Sequence, residues 1–169
     1  LRTGNLQTEG DITLENPVIA GGGSIDTISG NVTAKGKISG TGSLKKIGSG
    51  TFIPTNTSND YSGGTEIVEG NVYIKDSKVL GDSRGNIALR TGNLQTEGEL
   101  LLGHTISVDG GSIDTISGNL TASGKISGTG PLKKIGSGTF KPTNANNDYS
   151  GGTEIIEGNV YIKDSKVLG

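Results

Sequence analysis

The side chains able to do chemistry are few and far apart. His104 is the single histidine, and Asn16 stands 88 residues before it, so His104 reads as a turn residue and not a catalyst. Cysteine is absent, which removes thiolate metal sites, disulfides and cysteine nucleophiles. Gly48-Ser49-Gly50 imitates a nucleophile elbow, but its half of the chain holds no histidine to activate the serine. The Gly-x-Gly patterns open no helix, so a phosphate-binding reading fails. Cleavage of polysaccharides would need clustered carboxylates or a calcium site. Here Glu66 and Glu69 flank Ile67 and read as solvated, while Asp26 and Asp114 each lack a second carboxylate nearby in sequence. Tyr61 and Tyr149 open Tyr-Ser-Gly-Gly corners and read as packed rings whose hydroxyls reach solvent or backbone. The expectation is therefore a protein with no catalytic residue, no cofactor and no metal.

The elements that carry these residues are constrained by glycine. The chain has 169 residues, 31 of them Gly, and the longest Gly-free stretches, 51–62 and 139–150, each contain a Pro. A helix of average length has almost nowhere to form, so an all-β fold follows. The 15 basic and 17 acidic residues are scattered, with no run of like charge to suggest a nucleic-acid partner or a polybasic membrane anchor. No apolar stretch is long enough to span a bilayer as a helix, so the segment is not expected to be membrane-embedded.

Self-comparison exposes a tandem repeat. Residues 1–81 align without a gap on 89–169, with 64 identities in 81 positions, and 82–88 complete an 88-residue period. Gly followed by Asn or Thr recurs at Gly4, Gly30, Gly50, Gly70 and Gly92. Helix-free units of this length suggest one coil of a β-solenoid each. The reading is one continuous domain, 1–169, made of copies 1–88 and 89–169. Each copy takes four coils of three short strands, giving about seven to eight coils in the chain. Four coils at about 4.8 Å would set the copies roughly 19 Å apart. Alternation places Leu6, Val32, Phe52 and Val72 inside, with Ala34 and Ile74 two residues on. Exchange between copies agrees: Lys35 becomes Ser123 and Ile53 becomes Lys141, whereas inward Val32 becomes only Leu120. Asn5, Asn31 and Asn71, with Thr51 at the remaining coil, either form a hydrogen-bonded ladder along one edge or simply suit the turns.

Ten of the 17 differences between copies fall in one window, 11–21 against 99–109. Within it the even positions stay apolar, as in Ile12/Leu100, Leu14/Leu102, Val18/Ile106 and Ala20/Val108. The alternate set changes character: Thr13, Glu15, Pro17 and Ile19 become Leu101, Gly103, Thr105 and Ser107. These eight are the candidate recognition residues; the competing reading is neutral drift on a solvated face.

The run from Ile38 to Gly81 resembles the autotransporter-associated β-strand repeat. Gly40, Gly42, Leu44, Lys46, Gly48, Gly50 and Thr51 fit the first part of that family's pattern. Asn59, Tyr61, Gly63, Gly64, Thr65, Ile67 and Gly70 fit the second, Leu80-Gly81 the end, and 128–169 repeat the match. Phe52 and Pro54 depart from it, as does the spacing before Tyr61, which is one residue longer than usual. The resemblance implies a right-handed parallel β-helix in the passenger of a Gram-negative autotransporter, at the bacterial surface or secreted, with its parent anchored by a C-terminal outer-membrane β-barrel. It also implies a stalk or spacer of an adhesin or aggregation factor, whose partners are a host-cell or matrix receptor or the same protein on another cell. The alternative is a scaffold segment of a secreted β-helical enzyme with its catalytic residues elsewhere. Leu1 opens inside a repeat motif, so the chain reads as cut from something longer, with unprotected ends.

Overall fold

The computed structural model describes all residues, 1–169, as a parallel β-helix with three sides. Every strand pairing is parallel. One side begins with Asn5–Thr8, Ser24–Thr27, Leu44–Ile47 and Thr65–Ile67. The next stacks Ile12–Leu14, Asn31–Ala34, Thr51–Pro54 and Asn71–Ile74. The third is the least regular within the first copy, and becomes regular above it with Glu99–Leu102, Asn119–Ala122 and Thr139–Pro142 in register. Val18–Ile19 and Ile38–Ser39 pair as strands, but the rungs above pass through the loop at 59–61 and a 3-10 turn, Ser77–Leu80.

Alternation built the interior as expected. Val32, Phe52, Val72, Ala34 and Ile74 are all buried, as are Ile38, Leu44, Ile67, Val79, Ile87 and Leu89. Leu6, on the first rung, is half-buried. Each fully buried aliphatic side chain contributes roughly 1.5–3 kcal/mol, and their vertical stacking joins both copies into one core.

Two interior features were not legible. Lys46 is 1% exposed, inside the first side, between Ile25 below and Ile67 above. Its Nζ donates to the carbonyls of Ile47 at 2.8 Å, Gly48 at 2.6 Å and Glu69 at 3.2 Å. Three acceptors match the three N–H bonds of an ammonium, so the side chain clips the corner of one coil to that of the next. Burial lowers its pKa to about 8, against the attraction of Glu69 and Asp26. Gly70 roofs this site in the left-handed region (φ 67°), and a Cβ there would stand 2.7 Å from Nζ. Lys134 repeats the arrangement with Ile135, Gly136 and Glu157. Tyr61 is the second correction. Its ring is buried and its hydroxyl meets Thr65 Oγ1 at 2.7 Å, reaching neither solvent nor backbone.

The register counts the turns differently from the glycine spacing. One column of stacked residues runs Ile12, Val32, Phe52, Val72, then Leu94, Ile113, Lys134 and Ile155, eight rungs in all. Leu94 is the copy of Leu6, yet Leu6 heads a different column, with Ile25, Lys46 and Ile67, which passes on to Leu89 and Val108. Asn86–Leu89 is an added side that turns the second copy onto the next face. The 88-residue period therefore closes four turns and a third, not four coils, and the copies are related by a rise of about 21 Å and a rotation of one side. The 26-residue step from Gly4 to Gly30 hid this, because it crosses from one side to another. Gly23, not Gly30, packs on Gly4.

The asparagines follow the same rule. Asn5 accepts from Ser24 on the first side. On the second, Asn71 donates to Thr51 at 3.4 Å, Asn93 to Asn71 at 3.0 Å, and Ser112 to Asn93. The ladder thus exists from Thr51 to Ser112, with Asn93 and Ser112 as members; Asn5 stands on another side, and Asn31 lies in the column beside Thr51 without joining the chain of side-chain bonds.

Candidate recognition faces and the seam between copies

The variable windows occupy a strand, a corner and the next strand. In the first copy these are Ile12–Leu14 and Val18–Ile19. In the second, the far half of the long strand Asn93–Leu102 leads to Thr105–Val108. Because the second copy is turned by one side, the two windows look in different directions.

Thr13, Glu15, Pro17 and Ile19 are exposed, Ile19 to 64%. Leu101 (63%), Gly103 and Thr105 are exposed too, while Ser107 is half-buried. Three of the eight are tied to neighbours. Glu15 holds Lys35 at 2.8 Å. Asn86 donates to Ser107 at 2.9 Å and accepts from Thr105 at 3.0 Å. Of the inward set, Leu100, Leu102, Ile106, Val108 and Ala20 are buried and Leu14 and Val18 half-buried. Ile12 departs from expectation at 39% exposed, since it lies on the first rung with Val32 beside it on one edge only.

The seam is where charge concentrates. Arg90 donates to Glu66 at 3.1 Å and to Asp109, and Glu66 also meets Lys45 at 3.0 Å. Four charges on four rungs are thereby joined, and Glu66 is not the solvated carboxylate the sequence suggested. Burial pushes its carboxyl up, but hydrogen bonds from Lys45 and Arg90 outweigh that and hold it below the usual range. One corner away, Glu97 accepts from Tyr73 and from Lys75 at 3.1 Å. Asp26 and Asp114 accept from Gln7 and Gln95, each at 3.0 Å.

These contacts fix structure; none sets a nucleophile, a base and an oxyanion donor around a common point. Neither the deep lysines nor the seam carboxylates line the hollow of about 890 Å³ formed by Asn119, Thr121, Thr139, Lys141, Asn159 and Tyr161. No helix is long and apolar enough to cross a membrane.

Comparison with known proteins agrees with the architecture. Residues 44–73 and 132–161 match the family model of the passenger-associated-transport-repeat. The Adhesin BmaC autotransporter of Brucella suis biovar 1 (strain 1330) is 30% identical over 142 residues, which is 83% of this chain and 4% of that protein. No solved structure matches the chain. Each copy, 1–88 and the shorter 89–169, thus carries one passenger-associated-transport-repeat, and the chain is a segment of autotransporter-passenger type, a class that resides at the bacterial surface or outside the cell.

Proposed function

We propose that this segment is a non-enzymatic stalk or spacer of an adhesin-like passenger. The observation that carries the reading is the continuity of the sheets: the column from Ile12 to Ile155 crosses the boundary between copies without losing a rung. Such a unit extends by addition, since each copy buries its end against the next. The adhesin relative supports a role in attachment, to a host-cell or matrix receptor or to a second cell, with the exposed windows as the places where repeats differ.

Deletion of one 88-residue unit from the full-length protein tests this. A spacer predicts a projection shorter by about 21 Å, with surface display and adhesion kept. Loss of adhesion with display intact would instead place the binding residues in the segment. Exchange of 11–21 for 99–109 then separates the windows from the frame. Folding should persist, because the inward residues are matched in size.

A further inference from the structure

The seam holds one titratable side chain that nothing above employs. His104 is 3% exposed, and neither Nδ1 nor Nε2 has a partner at normal hydrogen-bond geometry, the Leu80 backbone approaching the ring only loosely. A neutral imidazole tolerates this at a cost, but an imidazolium carries two donors and a charge, and burying it unpaired costs far more. The groups facing the ring come from two rungs. On the rung below, the Leu80 backbone and the Asp82 carboxylate favour a charged ring, but Asp82 is already held by Arg84 at 2.5 Å. On the rung above, Ser123 and Gly124 lie against Gly103 and His104 and bring no charge. The next residue there, Lys125, is bound to Asp148 at 2.6 Å. Burial outweighs the Leu80 and Asp82 contributions and pushes the imidazole pKa down.

We infer that His104 makes the seam between the copies acid-labile: at neutral pH the ring seals the corner over Gly81–Asn86, and protonation drives it out and loosens residues 80–86 and 102–106. The sign follows from linkage. Folded His104 binds its proton at lower pH than the unfolded value of about 6.5. The opened state therefore takes up a proton first. Stability is complete above pH 6.5 and falls as pH drops below it. The first copy lacks this device, since Asn16 is exposed and carries no ionisable group.

The test uses the whole chain, in which His104 is the only histidine and so gives a single imidazole NMR signal. That signal should titrate below the ordinary 6.5. Amide exchange at 80–86 and 102–106, corrected for intrinsic rate, should accelerate by up to about tenfold per pH unit below 6.5. The substitution His104→Asn, which installs the first copy's own residue, should abolish that pH dependence while leaving exchange in 31–54 unchanged. Titration at an ordinary 6.5 without a change in protection would overturn the inference. So would an identical acid response in H104N. If H104N does not fold, the wild-type curves decide the matter: loss of local protection should begin near 6.5 and level off where the imidazole titrates, and a loss that runs on unchanged below that point would overturn the inference.

Discussion

Lys46 and Lys134 show what a single residue contributes here. Each satisfies three carbonyls at a corner that has no strand partner for them. Lys46→Met keeps the aliphatic stem but removes the donor from three part-buried carbonyls, of which Ile47 keeps only a long bond from Thr27 at 3.4 Å, at up to roughly 1–3 kcal/mol each before relaxation. The urea midpoint should fall markedly at pH 7. The pH dependence isolates the ammonium. With the folded pKa lowered to about 8 and an ordinary value of 10.5, the unfolded chain binds more protons between those limits. Wild-type stability should therefore rise relative to K46M as pH climbs from 8 to 10; a flat difference would mean that the ammonium is not strained by burial. Two sequence signals touched this lysine without explaining it, its place in the repeat pattern and its identity in both copies. Alternation marks 46 as interior, but its charge argues for solvent, and only the circle of carbonyls resolves the conflict. Lys45, at the outward position, is the one that meets Glu66.

At the scale of elements, each copy has one stretch of side without regular strands, at 59–61 and 77–80 in the first, and there asparagine replaces the missing ladder. Asn59 is buried, accepts from the Ile38 amide at 2.7 Å and donates to the Val79 carbonyl at 2.7 Å, so one side chain bridges three rungs. Asn147 does the same for Ile126 and Val167. Asn59→Ala should cost about 2–4 kcal/mol, since two buried backbone groups lose their partner, and exchange protection should drop first at Ile38 and Val79. Asn59→Asp keeps the acceptor and should lose less at Ile38 than at Val79. How far elements can be read from sequence is clear from these residues. The alternation at Val32, Ala34, Phe52 and Val72 needs only a pleat and one buried face, and it located the first two sides. The loop at 59–61 has no such period, because its stability comes from side-chain bridges between rungs distant in sequence. The windows were legible for a similar reason: the constancy of Leu14, Val18 and Ala20 as apolar residues tracks burial, while exposure of Thr13, Pro17 and Leu101 follows from the pleat. The binding of Thr105 and Ser107 to Asn86 was not legible, since Asn86 belongs to the added side.

At the scale of the molecule, the offset of one side per repeat governs what a long array would present. Successive windows would face directions a third of a turn apart, and every third repeat would face the same way. Glycine followed by asparagine marks corners on more than one side, so Gly4-Asn5 and Gly30-Asn31 look equivalent in sequence although they stand on different faces. Register is what separates them, and the absence of native cysteine makes register measurable. Tyr73 and Gln95 are in-register neighbours across the seam. A Tyr73→Cys, Gln95→Cys pair should place its Cα atoms about 4.8 Å apart, within disulfide range. Had the second copy continued the column of Leu6, Gln95 would instead lie beside Val68. Oxidation of the two double variants, followed by peptide mapping, is the most direct test. The account predicts an intramolecular disulfide in the 73/95 pair and none in 68/95; a bond in 68/95, or in neither, would contradict one continuous solenoid turned by one side per repeat.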